Sequence, residues 1–387
     1  MCRAGYGRVP EGGLASGTMT RPDPNPDAFA PGYAAARQAW LAAVQACDGR
    51  LDGLRHPQQG PEREGLWQDV ATFGDAQAAD VFVVACGTHG IEGHAGSAVM
   101  TAWLRGGGPG ALPAGKGVVL VHAINPWGMA HWQRGTERNV DLNRNFIDFG
   151  RAPPANPGYA ELHPHLMLAD WSEPAIARAF AAMDALRARA GEQAFSDAFN
   201  GGQYRHADGL FYGGDRAEWA NVALRQQLRK HLAGARRCVL VDLHTGIGPY
   251  GQPFMINFAP PGSFGRERAT AIWGAAALSG AGSTHKALAA FQGVLFDAFA
   301  AELPGCALSA TAVEFGTLER HRMQRAHLAN AWMRRQQGDS ETLRRARAEY
   351  REAFVPSDPA WRADVVRHGV ELLRRGRDAL VESGPPA

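Results

Sequence analysis

The sequence predicts an α/β fold in which a mostly parallel mixed sheet carries helices on both faces. Residues 80–86, 117–124, 237–243 and 308–315 are short and almost continuously apolar, as in strands that are buried on both sides. Segments with helical patterning lie between these runs, and alternation of strands and helices is typical of parallel sheets. The polar loops that follow the strands should therefore gather at the carboxyl edge of the sheet, where such folds bind ligands.

The remaining segments follow from apolar periodicity and from the positions of Gly and Pro. A further strand is predicted at residues 253–258, a glycine loop at 87–96 and a polar loop at 131–146, which a Pro-rich stretch follows at 152–164. Helices are predicted at residues 31–48, 97–105, 173–190, 215–233, 263–277 and 286–301, with a charged helical remainder at 317–381. We expect residues 1–30 to be loosely ordered and residues 31–387 to form a single catalytic domain with a helical C-terminal portion.

The composition restricts the class of protein. The 387 residues carry a net charge of +2, which indicates neither a nucleic-acid partner nor a membrane partner. Cys86 and Cys238 lie inside apolar strands, as buried thiols do, and the N-terminus lacks the apolar stretch of a signal peptide. These features favour a cytoplasmic location. The sequence leaves open the oligomeric state and whether translation starts at Met1 or at Met19.

The pattern His89-Gly-Ile-Glu92 follows the first buried strand, and His244 follows the strand at 237–243. Two His and one Glu can hold a zinc ion and leave a coordination position vacant, as catalytic zinc sites do. Each feature also has a structural reading, namely a glycine turn with a capping Glu and a strand-end His with a packing role. His94 follows an interrupting Gly93, so we expect it to support the site rather than bind metal.

Other side chains of chemical interest also lie at strand ends or in loops. Asp242 is two residues before His244 on a strand, so both point to one face and Asp242 could orient the His. Glu314 ends an apolar strand, where a general base for a metal-activated water would fit. The loop around Asn143 and Arg144 offers forked donors suited to a carboxylate, although Asn and Asp also cap their own turns in solvated loops.

Taken together, several motifs resemble the DUF2817 branch of the zinc carboxypeptidase and aspartoacylase-like superfamily. The resemblance extends from about residue 30 to the C-terminus, and its motifs are specific in combination. They lie at residues 87–93, 139–146, 202–204, 208–214, 242–251 and 314–317.

The resemblance implies a zinc carboxypeptidase-like fold and a role for each matching residue. His89, Glu92 and His244 would bind one zinc ion per chain. Asn143 and Arg144 would hold the terminal carboxylate of the substrate. Arg134 would polarise the scissile carbonyl, and Glu314 would transfer the proton of the attacking water, with Arg138 as the neighbouring candidate for the role of Arg134.

Carboxypeptidases also use a late active-site Tyr. Tyr250 is the Tyr that lies between His244 and Glu314, and Tyr204 and Tyr212 are further candidates for lining the pocket.

The sequence therefore predicts a zinc-dependent hydrolase that cleaves an amide bond next to a free carboxylate. The leading hypothesis is a carboxypeptidase-like enzyme acting on small peptides. The first alternative is a deacylase of N-acyl amino acids, of the aspartoacylase or succinylglutamate desuccinylase type. The second is a ligand-binding protein that has kept the fold without turnover.

Overall fold

A computed structural model of the protein describes residues 28–275, 278–279 and 289–382. Within them, eight strands form one sheet with the order β1-β2-β4-β3-β5-β8-β6-β7, and four of the seven strand pairs are parallel. This mixed sheet, together with the helices that cover it, confirms the predicted α/β fold class. The strands are β1 (Arg50–Gln59), β2 (Gly65–Gly74), β3 (Asp80–Cys86), β4 (Lys116–His122), β5 (Arg237–Tyr250), β6 (Pro253–Ile256), β7 (Leu278–Ser279) and β8 (Ala307–Gly316).

The helices in the described part of the chain cover the sheet and extend beyond its carboxyl edge. They are α1 (Tyr33–Ala46), α2 (Gly93–Arg105), α3 (Pro126–Ala130), α4 (Pro157–Leu166), α5 (Glu173–Asn200), α6 (Trp219–His231), α7 (Phe264–Trp273), α8 (Leu295–Glu302), α9 (Arg320–Met333), α10 (Glu341–Phe354) and α11 (Pro359–Glu382). No helix among them is both long enough and apolar enough to span a membrane.

Alternating residues of the central strands feed two hydrophobic cores, as strand geometry requires. On one face, Phe82 and Val84 of β3 pack with residues of α1, α2, α7 and α11. On the other face, Val81 and Val83 pack with residues of α6 and α8. A separate cluster joins α4, α5, α9 and α10, with Ile91 as its link to the loop after β3. Both faces of the sheet are thus covered, and a helical wall stands beyond one of its edges.

Asp80 links three strands at the opposite, amino end of the sheet. It pairs in register with Lys116 of β4 and Arg237 of β5. Its carboxylate bonds the ammonium of Lys116 and accepts from Nε of Arg237 at 2.5 Å. Burial alone would raise the pKa of Asp80, but the Arg237 and Lys116 hydrogen bonds hold that pKa below its ordinary value.

The strands β1 and β2 were not predicted. They form an antiparallel hairpin at one side of the sheet, and β1 is polar, mostly exposed and interrupted by Pro57. An edge strand with one solvated side lacks the continuous apolar run that marks a buried strand, and Pro is tolerated there.

The helices α3 and α4 were not predicted. The first lies between the strand and the polar loop predicted at 117–124 and 131–146, and the second lies mostly within the Pro-rich stretch at 152–164. Both begin with Pro at the first helical position, after Asn125 and Asn156, whose side chains accept backbone N–H bonds. Pro at this position and Asn before it are signals for a helix start. In a Pro-rich stretch such as 152–164, the same residue types also favour turns, so the signal is ambiguous.

The glycine loop predicted at 87–96 is shorter than expected. A 3-10 turn spans Gly90–Glu92, and α2 begins at Gly93. A Cβ on Gly90 would lie 2.2 Å from the backbone carbonyl carbon of Gly128. Here glycine allows two backbones to approach closely and still permits helical turns, so the predicted loop was wrong for the end of this segment.

Other boundaries also differ. The prediction ended α5 at residue 190, but the helix resumes after a break at Gly191 (φ 86°) and reaches Asn200. Of the helix predicted at 286–301, residues 286–288 lie outside the described residues, and within the described part the helix begins at Leu295. Residues 1–27, 276–277, 280–288 and 383–387 lie outside the described residues, and with them most of the segment expected to be loosely ordered and both candidate start sites.

Candidate active site

The ends of three adjacent strands meet at the carboxyl edge of the sheet. His89 follows β3, while His244 and Glu314 are register partners on the parallel strands β5 and β8. Adjacent parallel strands end at the same edge, so the chain order that separates these residues has no bearing on their proximity. The 3-10 turn after His89 then brings Glu92 back toward the same point.

His89, Glu92 and His244 form a buried cluster whose potential ligand atoms all lie within 4.8 Å of one another. Nδ1 of His89 is 3.0 Å from Oε1 of Glu92. Nδ1 of His244 is 2.8 Å from Oε2 of the same carboxylate. Two imidazole nitrogens and a carboxylate thus converge, as three-ligand catalytic zinc sites require.

The far nitrogen of each imidazole is held by a carboxylate. Oδ2 of Asp242 lies 2.6 Å from Nε2 of His244, and the Thr88 hydroxyl donates to Oδ1 of Asp242 at 2.9 Å. Nε2 of His89 lies 3.2 Å from Oδ1 of Asp141 and 2.7 Å from NH2 of Arg134. A carboxylate on the outer nitrogen fixes the ring so that the inner nitrogen is free to bind metal. The donor set and its supporting contacts therefore fit a zinc ion.

Arg134 bridges Glu92 of the metal cluster and Asp141, which supports the cluster. Its Nε donates to Asp141 at 3.0 Å, and its NH1 donates to Glu92 at 3.0 Å. Burial would raise the pKa of Asp141, but the guanidinium of Arg134 and the ring of His89 hold that pKa well below its ordinary value. Burial would likewise raise the pKa of Glu92, which His89 and His244 lower. Both groups are therefore carboxylates at neutral pH.

Glu314 is half-buried and lines the same cavity as the cluster. Burial and the neighbouring charge of Glu92 raise the pKa of Glu314 above its ordinary value. Its Oε2 is 3.4 Å from the backbone N–H of Ile247, the one hydrogen bond that it accepts from the described residues. A carboxylate with a raised pKa and spare acceptor capacity is suited to proton transfer.

Arg144 is buried in the cavity wall. Its NH1 and NH2 donate to the carbonyls of Asn143 and Asn200, each at 2.6 Å, and its guanidinium stacks 4.6 Å from the ring centre of Phe291. Among the described residues it forms no salt bridge, and its Nε has no hydrogen-bond partner. A buried cation without a carboxylate partner is costly, so this arrangement suits an incoming anion.

The neighbours of Arg144 are arranged around it. Asn143 also lines the cavity, and its Oδ1 accepts from the Leu295 N–H at 2.9 Å, which fixes the amide at the start of α8. Gly202 has φ +91°, and a Cβ there would lie 2.4 Å from Cδ of Arg144. The Gly202–Tyr204 motif therefore provides room for the Arg144 side chain, and the hydroxyl of Tyr204 donates to the Arg144 carbonyl at 2.5 Å.

A cavity of about 300 Å³ is lined by the metal cluster and by Arg134, Arg144 and Glu314, whereas Tyr204 lies outside its wall. Its volume suits a small ligand, and its wall combines a few polar groups with many apolar side chains, as ligand pockets do. The apolar part of the wall is formed by Phe195, Phe199, Phe211, Ile247, Ile256, Phe258, Phe291, Val294, Phe296, Leu318, Met323 and Phe354.

The structure does not bring the remaining predicted residues to this cavity. Tyr250 lies at the far end of β5, is 46% exposed, and donates its hydroxyl to Asp358 at 3.1 Å. Tyr212 is buried outside the cavity wall, and its backbone carbonyl accepts from the Asp141 N–H at 2.7 Å. Tyr212 thus contributes to the backbone support of Asp141. His94 stacks on Trp132 at 3.9 Å and is not part of the metal cluster, as expected from sequence.

Sequence reasoning missed two residues of the site. Asp141 was considered only as a turn former, and it does cap the turn by accepting the Asn143 N–H at 2.9 Å. Its second role, against His89 and Arg134, leaves no local signal because the partners are distant in sequence. His327 of α9 lines the cavity from within the segment that the sequence predicts only as a charged helical remainder. Which residues of α9 face the cavity depends on how the helix packs, and the local sequence does not determine this.

Comparison with solved structures shows partial likeness to hydrolases. Carboxypeptidase A from Helicoverpa armigera aligns with 12% identity and a TM-score of 0.46, covering 92% of this chain and 74% of the other. A metallo-carboxypeptidase from Burkholderia cenocepacia aligns with 13% identity and a TM-score of 0.39, covering 88% and 68%. Succinylglutamate desuccinylase from Chromobacterium violaceum aligns with 18% identity and a TM-score of 0.34, covering 83% and 74%.

Such low sequence identities and TM-scores do not indicate the activity of this chain. No curated protein matches the sequence. The sequence does match one family model, described as a protein of unknown function (DUF2817), over residues 29–368. Because this match covers most of the chain, including the metal cluster, the chain belongs to the DUF2817 family.

Proposed function

We propose that the protein is a zinc-dependent hydrolase that cleaves an amide bond next to a free carboxylate. One observation carries the proposal. A single cavity collects a convergent His-Glu-His cluster, a half-buried carboxylate with a raised pKa, and a buried guanidinium that has no carboxylate partner in the described part of the chain. Each feature alone has a structural explanation, whereas together they supply the groups that such a hydrolysis requires.

His89, Glu92 and His244 would hold the zinc ion through two Nδ1 atoms and the carboxylate. When bound there, zinc supplies Lewis-acid chemistry by acidifying water and polarising a carbonyl. Asp242 and Asp141 keep the outer nitrogen of each ring engaged, and so hold the inner nitrogen toward the site. Loss of either carboxylate should weaken metal binding, because such supporting contacts typically contribute about 10- to 100-fold in affinity.

Glu314 would take a proton from the attacking water and deliver it to the leaving nitrogen. Its carboxylate lines the cavity, and His244 is its register partner on the adjacent strand. The raised pKa moves the carboxyl toward neutral pH, where a group can both accept and return a proton efficiently.

Arg134 would donate to the oxygen that gains negative charge during attack. Asp141 holds its Nε, and Glu92 accepts from its NH1. Its NH2 lies 2.7 Å from Nε2 of His89, so the guanidinium is already oriented before substrate binds. Donors fixed in advance stabilise a developing oxyanion without reorganisation. Arg138 bonds Glu218 and Asp215 instead, at 2.9 and 2.6 Å, which directs it away from the cavity.

Arg144 and Asn143 would bind the free carboxylate of the substrate. The unpartnered Nε of Arg144 and its lack of a salt bridge among the described residues support this assignment. Phe291 beneath the guanidinium excludes water from the pair, which strengthens a charge-assisted bond. The cavity volume fits a ligand about as large as a dipeptide or an N-acyl amino acid, so both substrate classes meet the same requirement.

The proposal is tested by incubating the zinc-loaded protein with N-benzoylglycyl-L-phenylalanine and detecting released phenylalanine by mass spectrometry. N-acyl amino acids, including N-acetyl-L-aspartate and N-acetyl-L-phenylalanine, distinguish peptidase from deacylase activity. The matched control is zinc-loaded Glu314→Gln, which keeps the shape of the site but lacks the base. Binding of these compounds without any release by the wild-type protein would instead support the non-catalytic alternative.

A further inference from the structure

His327 is a cavity residue that the proposed reaction does not use. It lies on α9, and its ring is half-buried in the cavity wall. Three phenyl rings surround it, with centroid distances of 4.8 Å to Phe211, 5.5 Å to Phe354 and 6.5 Å to Phe199. The structure shows no hydrogen bond from its ring to any described residue.

The ring of His327 is neutral under ordinary conditions. Burial, reinforced by the positive charge of Arg134, lowers its pKa to about 3. A neutral imidazole has one N–H donor and one acceptor nitrogen. The half-buried ring faces the cavity, so a ligand that displaces water from it removes a hydrogen bond, and that loss carries a cost unless the ligand replaces the bond. Phenylalanine would fill the same wall without that cost.

The position of His327 indicates which part of a substrate it would meet. Phe211 contacts both His327 and Arg134, whose guanidinium carbon lies 5.2 Å from the Phe211 ring centre. Arg144, assigned to the substrate carboxylate, stacks instead on Phe291. His327 is therefore associated with the side of the cavity where Arg134 would hold the scissile carbonyl. The acyl part of the substrate extends from that carbonyl.

We propose that His327 is a substrate-contacting residue that donates one hydrogen bond to an acceptor on the acyl side of the scissile bond. This inference rests on the proposed function for the orientation of the substrate. It deepens that function by naming a substrate class. The preferred acyl group has an apolar body, which fits the phenyl rings, and a carbonyl or comparable acceptor beyond the scissile one. Peptide-like acyl groups meet both conditions, and plain hydrocarbon acyl groups meet only the first.

Two probes isolate this contact. N-benzoylglycyl-L-phenylalanine carries the additional carbonyl, and 4-phenylbutanoyl-L-phenylalanine has methylene groups in place of that carbonyl and its amide nitrogen. Dissociation constants are measured by calorimetry on the zinc-loaded Glu314→Gln protein, which should leave both probes intact. A neutral hydrogen bond corresponds to a preference of roughly 2- to 12-fold for the first probe. We expect that preference with His327 present.

The variants His327→Phe and His327→Gln separate hydrogen bonding from packing. His327→Phe keeps an aromatic wall but has no donor, so the two probes should bind equally. His327→Gln retains an N–H donor and should keep part of the preference. His321→Phe is the matched control, because His321 is on the same helix, is exposed, and stacks on Phe180 at 3.9 Å outside the cavity wall. It should leave the preference unchanged.

An unchanged preference in His327→Phe would overturn the inference, as would a wild-type site that does not distinguish the probes. Failure of the proposed function gives a different result. In that case the protein with Glu314 intact binds the probes but releases no phenylalanine, whereas the binding preference still depends on His327. When the His327 substitutions are made in the protein with Glu314 intact, the ratio of kcat/KM for the two probes should follow the ratio of their dissociation constants.

Discussion

The substitution Arg144→Gln tests how the site selects its substrate. In the structure, Arg144 donates two hydrogen bonds to backbone carbonyls, and its Nε has no hydrogen-bond partner among the described residues. A substrate carboxylate would therefore add a charge-assisted pair rather than replace an existing salt bridge. Hydrogen bonds to charged groups contribute about 1.5–3 kcal/mol, which corresponds to roughly 10- to 150-fold in kcat/KM.

The assay compares a substrate with a free carboxylate and the same substrate with that carboxylate amidated. The wild-type protein should prefer the free acid by roughly 10- to 150-fold. In Arg144→Gln, kcat/KM for the free acid should fall by about that factor, and the preference should nearly disappear. Zinc content and circular dichroism of the variant confirm that the site and the fold remain.

Arg320→Gln provides the matched control. Arg320 also lines the cavity, but its guanidinium already pairs with Glu192. Its removal should change the preference for the free acid by less than about 3-fold, since exposed ion pairs contribute little. A folded, zinc-loaded Arg144→Gln protein that still prefers the free acid as strongly as wild type would refute the assignment of Arg144. Loss of the preference for the free acid in Arg320→Gln would instead assign carboxylate binding to Arg320.

Three further predictions concern the base, the oxyanion donor and the sheet. Glu314→Gln should keep zinc but lower kcat by about 10²- to 10⁴-fold, measured by phenylalanine release; activity within a few-fold of wild type would assign the base to another group. Arg134→Ala should lower kcat by about 10²- to 10³-fold while Arg138→Ala changes it little, and the reverse would exchange their roles. Asp80→Asn should reduce the free energy of unfolding at pH 7 by about 3 kcal/mol in urea denaturation. The folded-state pKa of Asp80 is depressed, so its contribution is present above its ordinary value of 3.8 and is lost as pH falls through the folded-state pKa. Equal losses in wild type and variant over that acidic range would contradict this.

The central part of the fold could be predicted because buried parallel strands have a strong local signal. The prediction for β3 matched at both ends, at Asp80 and Cys86, because nearly every residue between them is apolar. The hairpin of β1 and β2 gave no such signal, since one side of β1 is solvated. The start of α2 within a glycine-rich stretch depends on contacts with the distant residue Gly128. Such contacts are a property of packing, and local sequence does not encode them.

The site shows the same division. Strand alternation sufficed to predict that Asp242 would orient His244, because residues two apart share a face. The contact between Asp141 and His89 joins two loops and could not be inferred from either. Tyr250 lies in the expected interval of sequence, but β5 continues past His244 and carries it to an exposed position. Sequence order alone could not reveal that extension.

Zinc stoichiometry tests the central claim most directly. Purified wild-type protein, dialysed against zinc and then against metal-free buffer, should retain one zinc ion per chain by mass spectrometric metal analysis. His244→Ala should retain far less, while its circular dichroism stays that of a folded protein. Asp358→Ala, which removes the partner of Tyr250 outside the cavity, should retain zinc like wild type. Full zinc retention by a folded His244→Ala protein, or no retained zinc in the wild type, would contradict the account.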